Sequence, residues 1–130
     1  MKRLLLVLFF TGVMVSPVNA QSTLALKEKC AEGAKKYYRE AIEPFVKPND
    51  DVGIEYHYNK KLDRCFLRVY HYGENYVEEI DDVYENKLIA VFIKSQGIWN
   101  VEGKISVFDK TKHLDELKKF NALIKPYMEE

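Results

Sequence analysis

The sequence predicts an α+β domain: an antiparallel sheet of about four to six strands, built from hairpins and covered by an N-terminal and a C-terminal helix. Three observations carry this expectation. Apolar residues recur at helical spacing near both ends of the chain, apolar and polar residues alternate in the segments between, and two cysteines, Cys30 and Cys65, stand where they can tie the first helix to the first hairpin.

In the first helix, expected over residues 22–42, Leu26, Cys30, Ala34, Tyr37 and Ala41 follow at spacings of four and three, while Lys27, Lys29, Lys35, Lys36 and Arg39 take other faces. Ser22 or Thr23 offers a capping oxygen. Pro44 and Pro48 close the helix, because proline has no N–H to donate, and residues 48–51 form a turn. Residues 52–58 and 65–72 then alternate apolar with polar, which reads as a β-hairpin. With Lys60 and Lys61 at the centre of its turn, Tyr56 faces Cys65, Ile54 faces Leu67 and Val52 faces Val69, so one face is wholly apolar. Cys65 lies on that face and Cys30 on the apolar stripe of the helix. Register, amphipathicity and a Cys30–Cys65 disulfide therefore demand the same packing of helix on hairpin.

Residues 76–84 form the next expected strand, and Glu85-Asn86-Lys87 a turn in which Asn tolerates positive φ. The run at 88–93, Leu-Ile-Ala-Val-Phe-Ile, is uninterrupted and predicts a central strand covered on both faces. Residues 98–101 and 104–108 flank Glu102-Gly103, a two-residue hairpin turn. Leu114, Leu117, Phe120, Ile124 and Tyr127 trace one side of a closing helix, with Thr111 as candidate cap, Asp115 and Glu116 near its positive end, and Pro126 expected to end or kink it.

Residues 1–20 pair Lys2 and Arg3 with an apolar run and end in Val18-Asn19-Ala20, the pattern of a cleaved export signal. The expected mature chain, 21–130, is one domain of 110 residues with 18 basic against 20 acidic side chains. Its mildly acidic balance argues against nucleic acid, whose binding needs clustered cations, and no later apolar run is long enough to span a bilayer. A periplasmic or secreted location follows from the signal. Two cysteines in an oxidising compartment allow one intramolecular pairing, and in the chain-entropy model closing a loop of about 35 residues is worth roughly 3–4 kcal/mol.

Chemistry-bearing groups are sparse. His57 faces Arg64 in the expected register and His71 lies roughly 20 Å along the sheet at 3.3 Å per residue, so the two cannot share an ion, and no metal or other cofactor is expected. Glu74, Glu78, Glu79, Asp81, Asp82 and Glu85 form an acidic run that reads as a solvated strand edge rather than a calcium loop. No nucleophile signature or phosphate-cradling glycine loop occurs, and no catalytic residue is assigned. The surplus lies in the aromatic residues. Phe66, Arg68, Tyr70 and Tyr72 share the hairpin face opposite Cys65, where they form either a surface that stacks on sugar rings or anchors a protein partner, or a second buried face.

The residues His57-Tyr58-Asn59-Lys60-Lys61-Leu62, Cys65-Phe66, Tyr84-Glu85-Asn86-Lys87 and 123–129 resemble a group of small exported bacterial proteins of unknown function. In that group a cysteine sits on the leading helix and a second opens a strand. The resemblance implies a bacterial source and the same single disulfide; several relatives carry a further cysteine pair near the region of Trp99 to Thr111, which this chain lacks. A helix followed by a meandering sheet is also similar in shape to cystatin-like and NTF2-like folds. Functionally, the expectation is a non-catalytic module that binds another protein in the envelope or outside the cell, as an inhibitor or immunity factor would. The alternative is a small ligand-pocket protein or hydrolase using Glu78 or Asp81, which would require a cavity of about 300 Å³ and a carboxyl group of raised pKa.

Overall fold

A six-stranded antiparallel sheet runs in simple chain order: β1 (Asp51–Asn59), β2 (Arg64–Tyr72), β3 (Val77–Asp82), β4 (Lys87–Ile93), β5 (Ile98–Val101) and β6 (Lys104–Val107). Helix α1 (Thr23–Tyr37) precedes it and α2 (His113–Met128) follows it. The structure, a computed structural model, describes residues 22–73 and 75–129. The expected export signal and Glu74 lie outside them.

Each helix takes one face, and β2 shows how. Side chains alternate along a strand, so Cys65 and Phe66 point to opposite faces. Cys65 is joined to Cys30 of α1 with the Cα atoms 5.3 Å apart, and packs with Ala34, Tyr58, Leu67 and Val69. Phe66 packs with Phe120 and Ile124 of α2, and with Ile80, Phe92 and Val101. The predicted α+β architecture and the disulfide are therefore both present.

Local chemistry moves several boundaries. Ser22 caps α1 by accepting from the Ala25 N–H at 3.2 Å, but the α-helix stops at Tyr37 rather than at residue 42. The chain continues through a wide π turn, Tyr38–Ile42, and a short 3₁₀ turn, Glu43–Phe45. Pro44 has no N–H for the Glu40 carbonyl and its ring crowds that group, so α geometry cannot run through this point. In the first hairpin Tyr58 faces Cys65, Tyr56 faces Leu67 and His57 faces Phe66, a register displaced by two residues from the expected one. The turn is longer because the Asn59 side chain accepts from the Leu62 N–H at 2.9 Å and Asp63 takes φ of 51°. A displacement of two leaves every residue on its expected face.

Strand β3 ends at Asp82, two residues early, because its carboxylate accepts from the N–H groups of Tyr84 and Glu85 and turns the chain. Asn86 then adopts φ of 51°. A bulge follows: Ile80 faces Ala90 while Asp81 faces Leu88, and the extra residue, Ile89, is buried with Ala90 against α2. Glu102 and Gly103 both take positive φ and close the last hairpin, as Val101 facing Lys104 requires. In α2, Phe120 and Ile124 are buried as expected, whereas Leu114 is exposed. Thr111 does not cap α2, whose N-cap position is Lys112 with no side-chain acceptor; Asp109 caps the short 3₁₀ turn Lys110–Lys112 before it, accepting from the Thr111 N–H at 3.0 Å. Pro126 lies inside the last turn, and the buried Asn59 amide donates to the carbonyls of Pro126, Tyr127 and Glu129 at 2.8, 3.2 and 3.1 Å. The carbonyls that a helix end leaves unpaired are thereby satisfied by the end of β1.

The expectation of a central strand covered on both faces fails for β4. One face, Ala90 and Phe92, lies under α2. Helix α1 packs over β1 and β2, and the other face of β4 to β6 carries Leu88, Val91, Ile93, Ile98, Ile105 and Val107 half-buried or exposed.

Candidate functional site

Three carboxylates expected at a solvated edge are instead interior, because β3 is the third of six strands: Glu78, Asp81 and Asp82 are all buried. Burying a carboxylate costs several kcal/mol unless it finds partners, so the partners of each decide what it does.

Glu78 faces α2 and is fully engaged. Arg68 on the neighbouring strand donates to it from Nε at 2.7 Å, and the Tyr76 hydroxyl donates at 2.7 Å. Arg68 also donates to Asn121 of α2 at 2.6 Å and lies 4.7 Å from the centre of the Tyr70 ring. Asp82 accepts from Arg64 at 2.5 Å and from two backbone N–H groups. These two acids hold the sheet together and have no unpaired face to offer.

Asp81 differs. It points to the α1 face, and the hydrogen bond it receives, from the Tyr37 hydroxyl, is long at 3.4 Å. It forms the floor of a cavity of about 320 Å³. Glu79 and His71 line the same floor, the imidazole Nε2 lying 3.7 Å from the Glu79 carboxylate. Ala41, Ile42 and Phe45 form the apolar wall, and Leu88 completes it from β4. The π turn is what places that wall: an α-helix running straight on would not present Ile42 and Phe45 in this way, and π turns recur at functional sites. Burial, followed by the charge of Glu79, pushes the Asp81 carboxyl up to about 7, against the opposing effect of the Tyr37 hydrogen bond. Burial and the nearby Asp81 push the Tyr37 hydroxyl up to about 12. The Asp81 carboxyl therefore keeps its proton to a higher pH than an exposed carboxylate does.

The aromatic tetrad divides. Phe66 is 1% exposed under α2 and is a core residue, because the closing helix occupies that face. Arg68 is committed to Glu78. Tyr70 donates to Glu55 at 2.9 Å and stacks on Tyr72 with ring centres 6.0 Å apart. Tyr72, 50% exposed, reaches the rim, where it lines an apolar groove with Tyr76, Phe92, Leu114 and Leu117. The second of the two readings drawn from the sequence, a buried aromatic face, accounts for Phe66, while Tyr70 and Tyr72 remain accessible.

His57 faces Phe66 rather than Arg64, with its Nε2 buried and unpaired, and the His113 Nδ1 lies 3.0 Å from the Lys110 carbonyl. Among the described residues no three of His, Cys, Asp and Glu converge to hold a metal ion, and no helix is long and apolar enough to cross a membrane.

Two features were not singled out from the sequence. The cavity depends on the π turn, on the β3–β4 bulge and on Asp81 facing α1 rather than α2. The apolar strip from Leu88 to Val107 was visible as apolar content but was assigned a cover that the chain does not place there. No family model, curated protein or solved structure matches this chain.

Proposed function

We propose that this chain is an exported, non-catalytic module that binds another protein through the uncovered half of its α1 face. One observation carries the reading. The strand with the sequence character of a doubly covered core, Leu88 to Ile93, is covered on one face, and Ile98, Ile105 and Val107 extend the open apolar strip to the sheet edge, with Ile105 67% and Val107 78% exposed. β6 adds the unpaired backbone groups of an edge strand, which a partner's strand can extend. The disulfide and the expected signal support an oxidising, extracytoplasmic setting, periplasmic or secreted.

The test compares three immobilised proteins in an envelope extract: wild type, Ile105→Asp with Val107→Asp, and Tyr70→Ala with Tyr72→Ala. The reading expects one defined partner on wild type, its loss from the strip variant at unchanged folding, and its retention by the tyrosine variant. Loss from the tyrosine variant alone would transfer recognition to the α2 rim and overturn this assignment.

A second reading, a ligand-pocket protein or small hydrolase, is favoured by a specific observation. The cavity over Asp81 is about 320 Å³ and its acid is raised to about 7, which are the two conditions such a role requires. Glu78, the other carboxylate considered, is held by Arg68 and Tyr76. This reading expects turnover of chromogenic ester or glycoside substrates with a pH profile breaking near 7, abolished by Asp81→Asn. A protein that turns over none of them removes the hydrolase form of this reading.

A further inference from the structure

The cavity over Asp81 and the open apolar strip share a residue, Leu88. The strip and the cavity therefore adjoin, and a protein seated on the strip has a side chain within reach of the cavity at Leu88.

The molecule supplies its own comparison. Of the three buried carboxylates on β3, Glu78 is paired with Arg68 and Asp82 with Arg64. Asp81, 5% exposed, has the 3.4 Å hydrogen bond from Tyr37 instead of a cation, and Glu79 adds a second carboxylate to the same space. The charged or titratable groups facing Asp81 are Glu79 on its own strand, His71 on β2 and Tyr37 on α1; no Lys or Arg is among the described residues lining the cavity. Its wall is apolar on one side: Ala41, Ile42, Leu88 and the 84% exposed ring of Phe45. An acidic floor with an apolar and aromatic wall suits a side chain with a long hydrocarbon stem and a cationic head, since stem and head then each meet a matching surface. A neutral apolar ligand would leave the acids unpaired, and an anion would meet two carboxylates.

We propose that this cavity receives a lysine or arginine side chain of the protein that docks on the apolar strip, with Asp81 and Glu79 pairing its charge and Phe45 covering its stem. The proposal rests on the protein-binding reading above and names the partner's chemistry at the end of that surface. The His71 imidazole, 3.7 Å from the Glu79 carboxylate, positions Glu79 and has no part in pairing the cation's charge.

The test uses the mature wild-type protein and defined probes, read by nuclear magnetic resonance. The probes are acetyl-Ile-Arg-Ile-amide, its twin with neutral citrulline in place of arginine, and N-butylguanidinium. The expected result is that the arginine peptide binds about tenfold or more tightly than the citrulline twin, the range of a charge-assisted pair. It should also shift the signals of Ala41 and Ile42 in the cavity together with those of Ile98 and Ile105 on the strip. Asp81→Asn, and independently Glu79→Gln, should bring the arginine peptide down toward the citrulline value. Equal binding of the two peptides, with shifts on the strip alone, would overturn the cation site and leave the apolar docking face standing. N-butylguanidinium shifting the cavity signals while the arginine peptide leaves the strip unmoved would show a site for small free cations and overturn the partner assignment. Cavity signals that no probe moves would overturn the proposal outright.

Discussion

Asp81 and Glu78 lie three residues apart on one strand, both buried, with opposite fates. Glu78 faces α2 and meets Arg68; Asp81 faces α1 and meets a tyrosine at 3.4 Å. The stability consequences differ in sign. With its carboxyl raised from 3.8 to about 7, the folded chain holds a proton at Asp81 that the unfolded chain releases. This group's contribution is therefore greatest below about pH 4 and is lost as pH rises through about 7. Asp81→Asn removes the dependence, so unfolding free energies of wild type and variant should converge at pH 4 and separate by roughly 2–4 kcal/mol in favour of the variant at pH 8. A variant with the same pH slope as wild type would show that Asp81 is not held protonated. Arg68→Met predicts the opposite: it strands the Glu78 carboxylate, and denaturant unfolding at pH 7 should show a loss of about 3–5 kcal/mol. A loss below about 1 kcal/mol would mean that Tyr76 alone satisfies it. Neither fate was legible in the run of six acids, because composition suggests a charged edge while strand order places β3 in the middle. Only the pairing of β3 with β2 decides which acid meets an arginine.

At the scale of elements, the alternation of β1 and β2 was readable and their register was not. Alternation sets which face a residue takes, and the observed displacement of two residues preserves it, so Cys65 met Cys30 as expected. Turn length depends on side-chain hydrogen bonds within the turn, here Asn59 with Leu62, and on Asp63 accepting positive φ. The same Asn59 closes α2 sixty-seven residues away, which no local pattern announces. Asn59→Ala should cost about 1–3 kcal/mol, since it removes the buried amide that donates to the carbonyls at the end of α2 and accepts from the Leu62 N–H. Hydrogen exchange should quicken in the last turn of α2 and in the β1–β2 turn while β4 stays protected. Unchanged exchange at residues 127–129 would mean that solvent already satisfies that end. The end of α1 was misjudged by five residues for a related reason. Periodicity continues through Ala41, but the missing donor at Pro44 converts the last turn into the wide one that builds the cavity wall.

Across the whole molecule, the disulfide ties α1 to the β1–β2 end of a sheet whose apolar content continues to β6. Helix count, strand pattern and cysteine pairing were sufficient to anticipate two covering helices. The uneven cover was not, because it depends on how far one short helix reaches across a six-stranded sheet. Cys30→Ala with Cys65→Ala should lower unfolding stability by about 3–4 kcal/mol, the value expected for a loop of about 35 residues, and loosen α1 from the sheet. A variant as stable as wild type would show that the apolar contacts of α1 alone hold it in place. The open half of that face is the structural basis of the functional reading.

The most direct measurement places a photo-activatable cross-linking residue at position 105 on the strip, and in a second protein at the exposed position 118 on α2, in the presence of envelope extract. The expected result is one discrete adduct at 105, with a protein carrying a lysine or arginine within an apolar segment at the cross-linked site, and none at 118. Adducts at 118 alone, or adducts at 105 to a second copy of this chain only, would contradict it.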